Sequence, residues 1–353
     1  MRRKRNLLFT AAIISAILAL AGCQFAPGDY PEPTLRTRPA EAALLLNGYT
    51  ELPGERFVLT GDLHCHSGES NGSGIPTSRV LADSIKAGYD FVALTDHGTV
   101  DQNKYDWSTD ELLVLSGLEL GTNLGHFNIL GLTEMPNLPR IDSTEEEFNT
   151  YIDYLHGLGA LIQHNHPNRG LDPSVPFTYN LNTDFVEILN RGLNDEDKRT
   201  LQRDFYNMLA AGKSFVGTAG SDAHRDYTSR HEFNNVWVTE RTEVAVLYAL
   251  NKGHSYVTTA ADGPVIQLTC GTAIMGDTVS CSTGQSVDIN ITALAEGSIV
   301  KVLNKGGLVL EQAATSSSLA IRIPTQSSTG LVRVEIWGSD GSIIAFSNPL
   351  YIS

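Results

Sequence analysis

Two textures of hydrophobic patterning divide the chain. From Phe57 onward, short apolar runs alternate with segments of helical period. The runs at 57–63, 91–95, 112–120, 126–132, 160–163, 185–189 and 215–219 read as strands. Between them, Val80, Leu81, Ser84 and Ile85 fall on one face of a helix over 77–87, which Gly88 ends. Phe148, Tyr151, Ile152 and Leu155 mark a second helix, with Ser143 as its cap and Glu145, Glu146 and Glu147 in its first turn. A third is capped by Asn194 or Asp195, carries Leu201, Phe205, Met208 and Leu209, and closes at Gly212; a last one covers 243–251. Such alternation predicts parallel strands in an α/β barrel or open sheet. After Gly263 the helical period vanishes. Alternating runs at 287–291, 299–303, 319–323 and 332–337, separated by Gly, Ser and Asn, predict a small all-β sandwich.

The N-terminus has a different character. Arg2, Arg3, Lys4 and Arg5 precede an apolar run from Leu7 to Leu20, and Ala21-Gly22-Cys23 offers small residues at a cleavage point. The run is shorter than the roughly 20 residues a membrane span needs, so an exported chain is expected rather than an uncleaved transmembrane helix. The segment resembles a bacterial lipoprotein signal, which implies cleavage after residue 22 and lipidation of Cys23. The expected anchor is the cell envelope, at the outer membrane if the host is Gram-negative. Pro27, Pro31 and Pro33 make the following stretch a tether. The organisation expected is a signal at 1–22, a tether and lead-in at 23–55, an α/β domain at 56–262 and a β-sandwich accessory domain at 263–353.

Composition is that of a globular protein, with 41% hydrophobic and 18% charged residues among 353. Formal net charge is -15. So acidic a chain lacks the basic footprint that duplex nucleic acid requires. A small anionic or ester substrate stays open, because bound divalent cations reverse the local field. No obligate protein partner is inferred. Cys270 and Cys281 form a disulfide or stay as two buried thiols; their spacing does not decide.

Chemistry concentrates at the strand ends. Asp62, His64 and His66 end the first run, Asp96 and His97 the second, Glu119 the third; His126 opens the fourth. His164 and His166 follow the fifth, Glu187 lies in the next, and Asp222 and His224 follow the last. In α/β barrels these ends form one rim, where active sites sit. Seven of the ten histidines are therefore expected at one place. Imidazole with carboxylate suits Zn, Mn or Fe. His64 and His66, two apart on a strand, share a face, and the donors outnumber what one tetrahedral zinc takes, so two or three divalent ions are expected. Cys65 is expected to pack behind the strand. His156, His231 and His254 match no pattern and read as ordinary. Arg191 and Arg225 neighbour the motifs and are candidates for holding an anionic substrate, with surface ion pairs as the alternative.

Taken together, GDLHCHSGESNGSG, FVALTDHG, GLEL, GHFNILGL, QHNHPN, VEILN and GSDAHR, in this order, resemble the PHP family (polymerase and histidinol phosphatase domain). The β-rich end, with GPVIQLT and SNPLYIS, is similar to the accessory domain of secreted CehA/McbA-type members. The resemblance implies a distorted (β/α)7-type barrel followed by the sandwich. It implies a first metal on His64, His66, Glu119 and Asp222, a second on Glu119, His126 and His166, and a third on His97 and His224. Glu119 would bridge, and Glu119, His97 and His224 would stand at the reacting centre. Where the family often has Ser-Asp-Gly after the His-x-His pair, this chain has Ser70-Asn71-Gly72, which bears on the third position. The function expected is a metal-dependent phosphoesterase acting on phosphomonoesters or small phosphodiesters, nucleotides or oligonucleotide ends among them. Two alternatives stand beside it: a carboxyl- or carbamate-ester metallohydrolase, and a non-catalytic envelope lipoprotein with a structural metal site.

Overall fold

The computed structural model describes residues 30–36, 46, 48–68, 74–140, 142–169, 180–192, 194–224, 231–280, 282, 284–327 and 330–353. The expected signal, Cys23, Asn71, Arg225 and Cys281 lie outside these residues. Within them run strands β1 (Thr34–Leu35) and β2 (Phe57–Cys65), helix α1 (Thr77–Lys86), then β3 (Phe91–Leu94), β4 (Tyr105–Asp106), β5 (Leu113–Thr122) and β6 (Gly125–Leu130). Helix α2 (Glu145–Gly157), β7 (Leu161–Asn165) and β8 (Phe185–Asn190) follow. Helix α3 (Asp195–Arg199) continues through a π-helical turn (Thr200–Phe205) into α4 (Tyr206–Ala210). Next come β9 (Val216–Gly220), β10 (Phe233–Val238), α5 (Glu243–Lys252) and β11 (Ser255–Thr258).

Strands run in the order β10-β2-β3-β5-β6-β7-β8-β9, and the sheet curls. The chain beyond β9 returns to the end of β2: Asp222 N donates to His64 O at 2.7 Å and His66 N to Ala223 O at 3.1 Å. The result is a mixed α/β fold, but not a regular repeat of strand and helix. β5, β6 and β7 pair antiparallel. A hairpin at Thr122–Gly125, turned by Gly125 at φ 124°, replaces a crossover helix there. β10 and β11, which the sequence patterning does not mark, extend the sheet: β10 pairs antiparallel with β2, and β11 antiparallel with β10.

The helices follow their apolar faces. α1 buries Val80, Leu81 and Ser84, and Gly88 at φ 90° closes it. The cap of α2 is Thr144, one residue later than expected. Its hydroxyl accepts from Glu147 N while Glu147 accepts from Thr144 N, a complete capping box. Ser143 instead donates its hydroxyl to Arg140 O. Asn194, of the two caps expected for the third helix, forms a capping box with Asp197.

The last ninety residues supply β12 (Val265–Cys270), β13 (Ala273–Ile274), β14 (Thr278–Val279), β15 (Ser286–Thr292), β16 (Ile299–Asn304) and β17 (Gly307–Ala313). They end with β18 (Ser318–Pro324), β19 (Leu331–Trp337), β20 (Ile343–Ser347) and β21 (Leu350–Ile352). β13-β12-β15-β18 form one sheet. Ile266, Leu268, Ile289 and Ile291 from it pack on Val300, Val302, Val334 and Ile336 of the facing strands. That facing layer is not separate. β20 pairs with β11, so the curled sheet and one leaf of the sandwich are continuous. Cys270 lies buried in this core.

Candidate metal centre

Strand alternation brings His64 and His66 to the inner face of β2 and turns Cys65 outward, where its thiol meets Ala93 O. Asp62 does not join them. Its carboxylate accepts from His64 N, Ser221 N and the Ser221 hydroxyl, tying the end of β2 to the chain after β9. Asp96 likewise accepts from the backbone and hydroxyl of Ser67. Both acids at these strand ends hold the scaffold.

Glu119, at the end of β5, is the hub and is 1% exposed. Its Oε1 lies 3.3 Å from His64 Nε2, 3.0 Å from His126 Nδ1 and 3.6 Å from His166 Nε2. Its Oε2 lies 3.3 Å from His66 Nε2 and 2.8 Å from His97 Nδ1. Burial alone would raise its pKa; the imidazoles, His64 foremost, reverse this and hold the carboxyl far below its ordinary range. Asp222 Oδ1 adds contacts of 3.6 Å to His64 and 3.2 Å to His66. Burial lowers the His66 pKa to about 4, so the ring is neutral and its lone pair is available.

Three donor groups result, each with its ligand atoms within 4.8 Å of one another: His64, His66, Glu119 and Asp222; Glu119, His126 and His166; and His66, His97 and His224. In the third, His97 Nε2 and His224 Nε2 approach to 3.2 Å and the rings of both stack on His66. The donors fit a shared cation on two counts. His64 Nε2 is fully buried yet makes no hydrogen bond. Donors about 2.0–2.2 Å from one tetrahedral ion lie roughly 3.3–3.6 Å apart, and the quartet's His–carboxylate separations run from 3.2 to 3.6 Å.

Six of the seven expected histidines meet here; His164 does not. On β7 the inward position belongs to Asn165, whose amide donates to Glu119 Oε1 at 3.0 Å and to Asn128 Oδ1 at 2.8 Å. His164 faces the other side against Phe127, where burial lowers its pKa to about 3. His166 reaches the centre because the backbone reverses there, at φ 31°. His156 and His254 pair with Asp184 and Asp277 away from the centre.

At the open edge stand two guanidiniums. Arg169 Nη1 lies 3.0 Å, and Arg191 Nε 2.9 Å, from Asp222 Oδ2. Arg191 Nη2 is also 3.1 Å from His224 Nδ1. Arg191 is a sequence candidate for binding an anion, with an ion pair as the alternative; Arg169, which follows QHNHPN directly, is not one. A small cavity lined by His166, Asn168, Arg169, Asn190, Arg191 and Thr200 opens beside them. Glu187, which the sequence places within a strand without a role, lies inside β8. It binds His64 Nδ1 at 2.9 Å, behind the donor quartet.

No family model matches the chain, and no curated protein matches its sequence. Among solved structures, the chain is similar to a two-domain protein from Bacteroides vulgatus containing a predicted PHP-like metal-dependent phosphoesterase. Identity is 15% and the TM-score 0.47, over 85% of this chain and 98% of that one. A β-glucosidase from Listeria innocua in complex with glucose reaches 10% identity and a TM-score of 0.15, over 91% of this chain and 48% of that one. The chemistry of the centre rests on its own side chains.

Proposed function

We propose that the chain is a metal-dependent phosphoesterase of the PHP type, acting on phosphomonoesters or small phosphodiesters, with nucleotides and oligonucleotide ends within its range. Divalent ions (two or three of Zn, Mn or Fe) would be held by the three donor groups and would supply Lewis-acid activation of water and stabilisation of charge on the ester oxygens. Glu119 belongs to two groups and fixes their spacing. His97 and His224, partly exposed, stand where the ester enters.

The observation that carries the phosphate reading is the pair Arg169 and Arg191. Their side chains are 41% and 44% exposed, and both are aimed at the edge of the centre by one oxygen of Asp222. Guanidinium forks match phosphoryl oxygens in shape and charge. A neutral carboxyl or carbamate ester would leave the two guanidiniums to share the single carboxylate of Asp222. We propose further that the enzyme acts outside the cytoplasm, held to the envelope by a lipid on Cys23; the basic and then apolar pattern of residues 2–23 supports this.

The test begins with elemental analysis of purified protein. Zn, Mn and Fe are then added back singly against p-nitrophenyl phosphate, bis(p-nitrophenyl) phosphate and naphthyl acetate. Phosphate-ester turnover that a chelator removes, and that His64→Ala or His66→Ala abolishes without loss of fold, supports the proposal. Turnover confined to the carboxyl ester transfers the site to the second hydrolase class. Metal-loaded protein silent on all three rejects the enzyme.

A further inference from the structure

We infer that Glu187 is a positioning residue that serves two donor groups at once, so that losing it weakens cation binding at both. The inference rests on the metal reading above. Glu187 is 1% exposed and belongs to none of the donor groups. Its Oε1 accepts from His64 Nδ1 at 2.9 Å. A carboxylate at that distance requires the proton on Nδ1, so that in the neutral ring it is the Nε2 lone pair that faces Glu119 and Asp222. Its Oε2 accepts from His166 N at 2.7 Å and from Asn190 Nδ2 at 3.0 Å. His166 sits in the left-handed region at φ 31°, a conformation that a non-glycine residue keeps only when its surroundings hold it. One carboxylate therefore orients His64 of the first group and the backbone that presents His166 to the second.

The fold makes room for this arrangement. Gly220 ends β9 directly behind the pair, and a Cβ there would overlap both Glu187 Oε1 and the His64 Cβ. The demand is for three accepted hydrogen bonds on two oxygens. An amide has only one acceptor end, so Glu187→Gln sets an NH2 group against either His64 Nδ1–H or the His166 and Asn190 donors.

The experiment titrates chelator-stripped full-length protein with Co(II) alone, reading bound equivalents and the visible ligand-field spectrum, with near-UV circular dichroism as the check on fold. Loss of a histidine's carboxylate partner typically weakens metal binding about 10–100-fold. That loss is expected for Glu187→Gln in the equivalents that His64→Ala and His126→Ala also remove. The equivalent that depends on His97 and His224 is expected to persist. Glu187→Asp keeps charge and acceptor number but not reach, and should fall between; it carries the test if Glu187→Gln does not fold. A folded variant with wild-type Co(II) affinity and spectrum overturns the inference. Wild-type protein that binds no Co(II) overturns the metal reading itself, an outcome distinct from the first.

Discussion

At Asp222, one carboxylate oxygen faces His64 and His66 while the other meets Arg169 and Arg191. The residue itself stands at φ 46°; with His166 and Arg191 it makes three of the four non-glycine residues at positive φ among those described. Backbone strain thus gathers at the ends of β7, β8 and β9, where side chains must be aimed rather than merely buried. Each arginine's charged hydrogen bonds are worth about 1.5–3 kcal/mol, so Arg169→Ala and Arg191→Ala should each raise KM for a phosphate ester roughly tenfold or more. Lysine should restore little at either position, because one ammonium cannot match a fork to two oxygens. Initial rates over a range of p-nitrophenyl phosphate concentrations decide this; an unchanged KM in both variants removes the arginines from the binding role. The same strain explains what was legible at this scale. His64-Cys65-His66 reads correctly because β2 runs to Cys65 and His66 follows it without a turn into positive φ. His164-Asn165-His166 has the same spacing, and β7 likewise ends at its middle residue, but there the backbone reverses at His166. No spacing rule announces a left-handed histidine.

Elements whose ends are written in local chemistry were readable, and those that depend on distant partners were not. α1, α2 and α5 follow their apolar faces and caps to within a residue or two of the expected bounds. The β5–β6–β7 meander broke the expected parallel alternation because strand direction is settled by pairing, which the period of a strand does not encode. One element offers a measurable pH dependence away from the metal centre. His156, in the last turn of α2, donates to Asp184 Oδ2 at 3.0 Å, and the same oxygen accepts from Ile162 N at the start of β7. The hydrogen bond to Asp184, against the opposing effect of burial, raises the His156 pKa, and Asp153 adds to the rise. A histidine raised in the folded state contributes its full stabilisation below its unfolded pKa near 6.5 and loses it as pH climbs through the folded value. His156 is a third exposed and Asp184 about half as much, so the effect is at most about 1 kcal/mol. Urea midpoints should therefore show His156→Gln costing more at pH 6 than at pH 9. Equal costs at the two pH values would mean the ion pair contributes nothing.

Across the whole molecule, the described residues after Gly263 form strands and one short 3-10 turn, but the change of texture there says nothing of how this part is joined to the rest. The join is made by pairings far apart in sequence, β11 with β20 above all. Asn348 reinforces it: its Oδ1 accepts from Gly217 N at 2.7 Å, and its amide donates to Ser255 O at 3.0 Å. Phe346, on β20, is fully buried in the α/β core beside Phe205 rather than in the core of the sandwich. Arg333, 1% exposed on β19, lies 5.6 Å over the same Phe205 ring. A core shared in this way transmits damage in both directions. Phe346→Ala removes a buried ring and leaves a cavity, a change that costs about 3–5 kcal/mol, and the cost should fall on both parts together. Trp337 reports on β19, the strand that the sandwich contributes to this shared core, and Trp107 on the α/β body. Single-tryptophan versions of the protein should give coincident urea transitions, both displaced to lower urea by Phe346→Ala. Two separate transitions, with only the Trp337 signal displaced, would show that the sandwich folds on its own, and that the α/β body does not depend on it for stability.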